Sequence, residues 1–192
     1  MAALVVAPST SADLLFAADA LSSSRLFERV FTASLTVPEI SHENVVDALA
    51  AHGVAGPNCR DCEAGRTPLF STVRLDNPAF TRALLECGAD AAAADDAGVT
   101  VLHVAACGAR AETLTLLLDH GAEVDARAGV HGWTALHEAA AAGWMDGCSV
   151  LMARGADVSL TTNEGSDAAC LAQVSGHADL AKVLRSAARR AG

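Results

Sequence analysis

Glycine recurs at a nearly fixed interval along this chain. Four glycines follow one another at steps of about 33 residues, at Gly65, Gly98, Gly132 and Gly165. A second series keeps the same interval, at Gly88, Gly121 and Gly155. Such a period is typical of repeat proteins, in which a single unit cannot bury its apolar face and stability comes from stacking on its neighbours. It predicts one elongated array, and arrays of this kind act by presenting a surface.

A short motif follows each glycine of the first series. The four copies are Thr67-Pro68-Leu69-Phe70, Thr100-Val101-Leu102-His103, Thr134-Ala135-Leu136-His137 and the worn Asp167-Ala168-Ala169-Cys170. A threonine hydroxyl can cap a helix, and Pro68 suits the first helical turn, where no backbone N–H is needed. The second glycine series follows apolar runs at helical spacing, such as Leu114, Leu117 and Leu118. Glycine there predicts a left-handed helix end.

Taken together, these motifs resemble the ankyrin repeat family. The family signature is a Thr-Pro-Leu-His turn, two helices and a Gly-Ala-Asp-Val segment over about 33 residues. The unit that begins at Gly132 matches best, and the resemblance covers residues 42–190. It implies a mainly α fold: an ankyrin-repeat solenoid of stacked helix-turn-helix units with short β-hairpin or loop connections. In the family, the motif histidines (here His103 and His137) bridge turn backbone groups between adjacent repeats.

The repeat register divides the chain into units. Residues around Thr32 stand where a further motif belongs, but no good first helix follows them, and terminal units of solenoids are commonly atypical. An extra residue near Val130 predicts a lengthened hairpin before Gly132. The expected organisation is a flexible N-terminus at 1–10, an altered helical N-terminal capping unit with a degenerate repeat at 11–64, ankyrin repeats at 65–97, 98–131 and 132–164, and a C-terminal capping repeat at 165–192.

Composition narrows the range of partners and compartments. The net charge of −10 disfavours nucleic acid, because phosphate binding needs a basic face, and it favours a protein partner with a basic surface. No apolar run is long enough to span a membrane, so no membrane insertion is expected. Six cysteines in mostly packed repeat positions suggest a reducing, intracellular location, cytoplasmic or nuclear. The N-terminus has no basic n-region, although its serine and alanine content leaves an organelle transit peptide open.

Chemistry-bearing patterns are few. Cys59 and Cys62 have the spacing of metal ligands, but a zinc site needs two more, and only His42 and His52 are near in sequence. There is no phosphate-cradling glycine loop and no nucleophile–base pattern with His103 or His137. The sequence therefore predicts no enzyme and no cofactor. A metal or redox protein that uses Cys59 and Cys62 is the alternative of a different class.

The family resemblance implies non-catalytic protein binding, as a scaffold or adaptor, through the concave face of hairpins and first helices. The expected binding residues are Arg66, Arg74, Asp95, Asp96, Val99, His131, Trp133 and Glu138. Trp133 occupies a variable position, and exposed tryptophan is a common interface hot spot. Its ring, or that of Trp144 in an inter-helix loop, could instead pack on a neighbouring repeat. The acidic pair Asp95 and Asp96 would either steer a basic partner or only solvate the hairpin.

Other readings of the same module stay open. A small array fits an inhibitor or an assembly chaperone of a partner enzyme or complex, and it also fits a structural subunit that docks through apolar N-terminal helices. The sequence sets no oligomeric state. Asp125 stands where many family members carry asparagine, which puts the asparagine hydroxylation known in the family in doubt here.

Overall fold

The computed structural model of the protein describes Leu49, residues 55–61 and residues 64–191. These ranges hold eight α-helices: α1 Pro68–Arg74, α2 Pro78–Glu86, α3 Val101–Cys107, α4 Ala111–Asp119, α5 Ala135–Ala141, α6 Met145–Ala153, α7 Ala168–Val174 and α8 Ala178–Ala191. They hold no strand beyond three isolated bridges. The mainly α solenoid is confirmed. The flexible N-terminus and most of the altered unit predicted for 11–64 lie outside the described residues.

The helices form two layers. The shorter first helices of successive units, α1, α3, α5 and α7, contact one another in order, and the second helices α2, α4 and α6 do the same. Alanine permits the close approach of the first helices, since Ala105, Ala106, Ala139 and Ala140 are completely buried.

One leucine per unit occupies the same place in the core. The four stand at equivalent positions of successive units and are fully or almost fully buried: Leu84, Leu117, Leu151 and Leu184. Each is about 1.5–3 kcal/mol more favourable buried than exposed. A buried leucine thus recurs at the same interval as the glycines.

The starts of the first helices differ with the residue at the motif position. Thr100 and Thr134 form capping boxes with His103 and His137, in which Nδ1 of the imidazole accepts from the backbone N–H of the threonine. At Thr67 no side-chain cap bond forms, and Phe70, which replaces the histidine, offers the threonine hydroxyl no acceptor. In the worn last unit, a carboxylate oxygen of Asp167 accepts from the N–H of Cys170 at 2.6 Å and caps α7 alone.

The hairpins between units line up into a ribbon. The backbone N–H of Asp96 donates to Ala64 at 2.9 Å, that of Gly129 to Ala97 at 3.1 Å, and that of Asn163 to His131 at 2.8 Å, so each hairpin bonds to the preceding one. The repeated turn shape rests on glycine: Gly98 and Gly165 have φ of 77° and 80°, a left-handed conformation that side chains disfavour. This ribbon and the first-helix layer together frame the candidate site.

Each turn between the two helices of a unit contains one residue with positive φ, which is glycine in two units and another residue in the other two. The turn before α6 contains Gly143 with φ 72°, and the turn before α8 contains Gly176 with φ 89°. At the equivalent positions of the first two units, Asp76 and Ala109 both hold φ of 53°. Alanine in the left-handed region costs about 1–2 kcal/mol, so the second unit carries local backbone strain.

Candidate protein-binding face

The motif histidine of the second unit fixes the base of the next hairpin. His103 is completely buried, and its Nδ1 accepts from the backbone N–H of Thr100 at 3.3 Å. That bond requires the proton on Nε2, which then donates to the carbonyl of Trp133 at 3.0 Å. The family expectation that this histidine bridges adjacent repeats is confirmed. Burial lowers the pKa of His103 to about 4, against the pull of the Trp133 and Ala126 carbonyls, and so keeps it neutral.

His137 repeats the arrangement one unit later. Its Nδ1 accepts from the backbone N–H of Thr134 at 3.1 Å. Its Nε2 meets no acceptor at hydrogen-bond distance, although the nearby carbonyls of Leu160 and Ser166 favour the protonated form. Burial outweighs them and lowers the pKa of His137. Both imidazoles are therefore neutral framework groups beneath the surface.

Trp133 lies directly above this framework. It belongs to a row of four register-equivalent residues, one per hairpin, which we call the hairpin row: Arg66, Val99, Trp133 and Ser166. All four are partly exposed. The Trp133 ring is tilted by 44° to the ring of His137, with centroids 6.5 Å apart. It rests on its own unit and still offers part of its surface to solvent.

The acidic pair of the second hairpin divides into two roles. Asp95 is 8% exposed, and one of its oxygens accepts from the N–H of Ala97 at 3.0 Å and of Val99 at 2.9 Å. Its other oxygen lies 3.5 Å from Nε of Arg66. Asp95 thus holds the turn that presents Val99. Asp96 is exposed and pairs with Arg60 at 3.0 Å, an exposed pair that solvent screens.

Several contacts hold the lengthened hairpin before Gly132. Nδ2 of Asn163 donates to the carbonyl of Val130 at 2.9 Å, and Nδ1 of His131 lies 2.9 Å from a carboxylate oxygen of Glu164. Arg127 donates to the carbonyl of Thr161 at 2.8 Å from the same side. These contacts leave the Val130 side chain 83% exposed at the tip. An apolar side chain so exposed on a fixed loop is suited to contact a partner.

Two expected binding residues lie on the first helices. Arg74, the last residue of α1, is half-buried, and its carbonyl accepts from Nη2 of Arg110 at 2.8 Å. Glu138 in α5 is only 4% exposed. Near the ends of the first helices, Leu75 and Val174 are 42% and 86% exposed. The structure thus brings the hairpin row and the hairpin tips to one edge, whereas Glu138 lies below it.

Sequence reasoning missed Val130 and Asn163 as contributors to this face. The signal was present, because the step from Gly98 to Gly132 is longer by one residue than the steps on either side. Asn163, the partner that fixes the loop, belongs to the next unit, and only a fold with hairpin-to-hairpin bonding brings it close. Trp144, by contrast, is half-buried against the core with its ring over Gly147, so it acts mainly in packing.

The described residues give no support to a metal site at Cys59 and Cys62. Cys59 is half-buried and packs against the core, and Cys62 lies outside the residues whose side chains are described. Within the described ranges, no three cysteine, histidine or acidic side chains gather as metal ligands would. No helix in those ranges is both long enough and apolar enough to cross a membrane.

Comparison with known families gives a direct match. A model of three ankyrin repeats matches residues 35–128, and a model of one ankyrin repeat matches residues 131–163. The chain belongs to the ankyrin repeat family. Ankyrin repeats are protein–protein interaction modules and are typically non-catalytic, so the array described above is a binding module. The matched region begins within the segment predicted as the altered N-terminal unit.

Similar proteins have varied roles. The chain is 39% identical over 87 residues to a palmitoyltransferase, Hip14, of Drosophila melanogaster, which is 45% of this chain and 14% of that protein. It is 37% identical over 103 residues to the E3 ubiquitin-protein ligase KEG of Arabidopsis thaliana, 53% of this chain and 6% of the ligase. It is 41% identical over 99 residues to Protein PhlB of Serratia liquefaciens, 52% of this chain and 44% of that protein. The chain thus matches less than half the length of each of these relatives.

Proposed function

We propose that this ankyrin array is a non-catalytic adaptor that binds a partner protein through the hairpin row and the lengthened hairpin. The observation that carries the proposal is the surface around Trp133. Its backbone is fixed by His103, its ring is half-buried on His137, and Val130 stands exposed at the tip of the same hairpin. Rigid, partly desolvated aromatic groups lose little entropy on binding and are enriched among hot spots.

The neighbouring residues suit a contact of mixed character. Val99 and Ser166 flank Trp133 in the row, and Arg66 ends it beside the buried Asp95. The apolar centre would supply most of the affinity, and Asp96 and His131 would act at the rim. Rim charges affect association rate more than affinity, but Asp96 already pairs with Arg60, so it is expected to steer a basic partner only weakly. Glu138 and Arg74 would contribute from beneath, by supporting the first-helix surface.

Affinity capture tests the proposal. The immobilised chain is exposed to a native extract, the retained protein is identified and purified, and its affinity is measured for the wild type and for the double variant Trp133→Ala/Val99→Ala. Loss of a hot spot costs about 2 kcal/mol or more, so binding should weaken by about 30-fold.

A matched control separates this face from the rest of the surface. Met145→Ala removes an apolar side chain that is 36% exposed at the start of a second helix. It should leave the affinity within about twofold, because it lies outside the proposed face. If the Trp133/Val99 double variant, with its helical signal intact, bound the partner as tightly as the wild type, the hairpin row would not be the binding face.

The second candidate function is that of an inhibitor or an assembly chaperone, which would also bind its partner without chemistry. It is distinguished by effect: an inhibitor lowers the activity of the captured partner, and an adaptor leaves it unchanged. Its basis is the module itself, which can cover a partner's surface without any chemistry of its own.

A further inference from the structure

The last helix differs from the other second helices in length and in charge. α8 has 14 residues, whereas α2, α4 and α6 have nine each. The reason lies in the register: Ala188 stands at the position that Gly121 and Gly155 hold in earlier units, so the left-handed glycine that follows α6 has no counterpart. The helix continues through that point and carries Arg189 and Arg190 beyond it.

The charge of α8 is opposite to that of the rest of the array. Its four cations are Lys182, Arg185, Arg189 and Arg190, and Asp179 is its one acid. Residues 64–177 carry six lysine or arginine residues against fourteen aspartate or glutamate residues, a net charge of −8. Helix α8 therefore carries a net positive charge next to an acidic array.

Three of these cations share a face. Leu180, Ala181 and Leu184 are buried and point into the core. The exposed residues Lys182, Arg185 and Arg189 are spaced i, i+3 and i+7 on the side away from that buried face, and we call them the cationic stripe. At 1.5 Å per residue the stripe is about 10 Å long.

Little within the described residues neutralises the stripe. Lys182 contacts Asp179 at 2.8 Å, but both side chains are at least 73% exposed, and solvent screens such a pair strongly. No ion pair between described residues involves Arg185, Arg189 or Arg190. Their guanidinium groups can therefore donate hydrogen bonds to a carboxylate of a partner.

Two simpler explanations account for only part of the stripe. The helix dipole favours cations in the last turn, which explains Arg189 and Arg190 but not Lys182 or Arg185. Local exposure explains Arg185, which is exposed at the register where the earlier unit has the packed Met152. Lys182 replaces Ser149, which already faces solvent, so that explanation does not extend to it.

We propose that the cationic stripe is a second docking surface, separate from the hairpin row, and that it binds an acidic helical segment of a protein. A helix with carboxylates at i, i+4 and i+7 matches the length and spacing of the three cations. Extended polyanions fit less well. The attraction of the stripe fades within a Debye length of about 8 Å, and a longer polyanion would also face residues 64–177, whose net charge is −8. Charge complementarity over a short distance thus selects a short acidic element.

The probe is a synthetic helical peptide with glutamates at i, i+4 and i+7, labelled for fluorescence anisotropy, and its glutamine counterpart. The full chain is compared with Arg185→Glu/Arg189→Glu and with a matched control, Arg82→Glu/Arg154→Glu. The control reverses two exposed cations away from α8, so both variants have the same net charge. Circular dichroism checks that each variant keeps its helical signal.

The wild type should bind the glutamate peptide and not the glutamine peptide. The stripe variant should bind it at least about tenfold more weakly, because close charge pairs dominate such contacts, and the control should change by less than about twofold. An equal loss in both variants would show non-specific attraction and overturn the proposal. So would failure of the wild type to bind, or tighter binding of a short DNA duplex or phosphatidylserine vesicles than of the peptide.

Discussion

Asn58 and Asp125 stand at equivalent positions and each joins two neighbouring units, but Asp125 makes one hydrogen bond fewer. Asn58 joins adjacent units twice: its Nδ2 donates to the carbonyl of Gly88 at 2.9 Å, and its Oδ1 accepts from the N–H of Asp90 at 2.8 Å. Asp125 accepts from the N–H of Asp157 at 3.1 and 3.3 Å. The sequence separation is the same in both cases. A carboxylate cannot donate, so the equivalent bond to Gly155 is missing.

Asp125→Asn should therefore stabilise the array. The new amide places a donor where Asn58 has one, and a net intramolecular hydrogen bond is worth about 1 kcal/mol. For a domain of this size that gain raises Tm by about 2–4 °C. Thermal and urea unfolding, followed by circular dichroism, measure it. The reverse change, Asn58→Asp, serves as the matched control and should lower stability by about the same amount.

The pair of variants is stringent because the two substitutions have opposite expected signs. If Asp125→Asn left Tm unchanged or lowered it while Asn58→Asp was neutral, the amide bridge would contribute nothing to stability.

Two further predictions concern the histidine framework and the strained turn. Since the folded pKa of His103 is about 4 and the unfolded value 6.5, the unfolded chain binds more protons between them, and stability falls as pH drops. Urea unfolding should show a loss of about 2 kcal/mol from this residue between about pH 7.5 and 5, and His103→Gln should remove that part of the pH dependence; identical slopes for both proteins would contradict this. Ala109→Gly should raise the free energy of unfolding by about 1 kcal/mol, because φ there is 53°, whereas Ala142→Gly at φ −73° should lower it by about 0.5–1 kcal/mol. A loss of stability in both glycine variants would mean that the turn at Ala109 carries no strain.

Much of the architecture could be predicted because the determinants repeat. The glycine series, the Thr-x-x-His motif and the leucine period each recur at the same interval, so weak local signals reinforce one another. The left-handed glycines and the His103 bridge to the next hairpin follow from residue type and register. The left-handed conformation of Ala109 did not, because alanine disfavours positive φ.

The candidate face was less predictable than the scaffold. The register placed Val99 and Trp133 in one row, but it could not tell exposed from structural polar groups. Asp95 resembles a surface charge in the sequence, yet its carboxylate satisfies two backbone N–H groups of its own turn. The hairpin tip that carries Val130 is bonded to Asn163, a contact between units that no local pattern encodes.

Photo-crosslinking from the hairpin row shows whether a bound partner lies against Trp133 and its neighbours. A benzophenone amino acid is placed at Val99 or Ser166, which flank Trp133 in the row, and, for comparison, at Arg82 or Ser149, exposed positions on second helices. The captured partner is then irradiated with each variant, and the covalent adduct is quantified. We expect adducts from Val99 and Ser166 and little from Arg82 or Ser149. Adducts from Arg82 and Ser149 with none from the hairpin row would contradict this expectation.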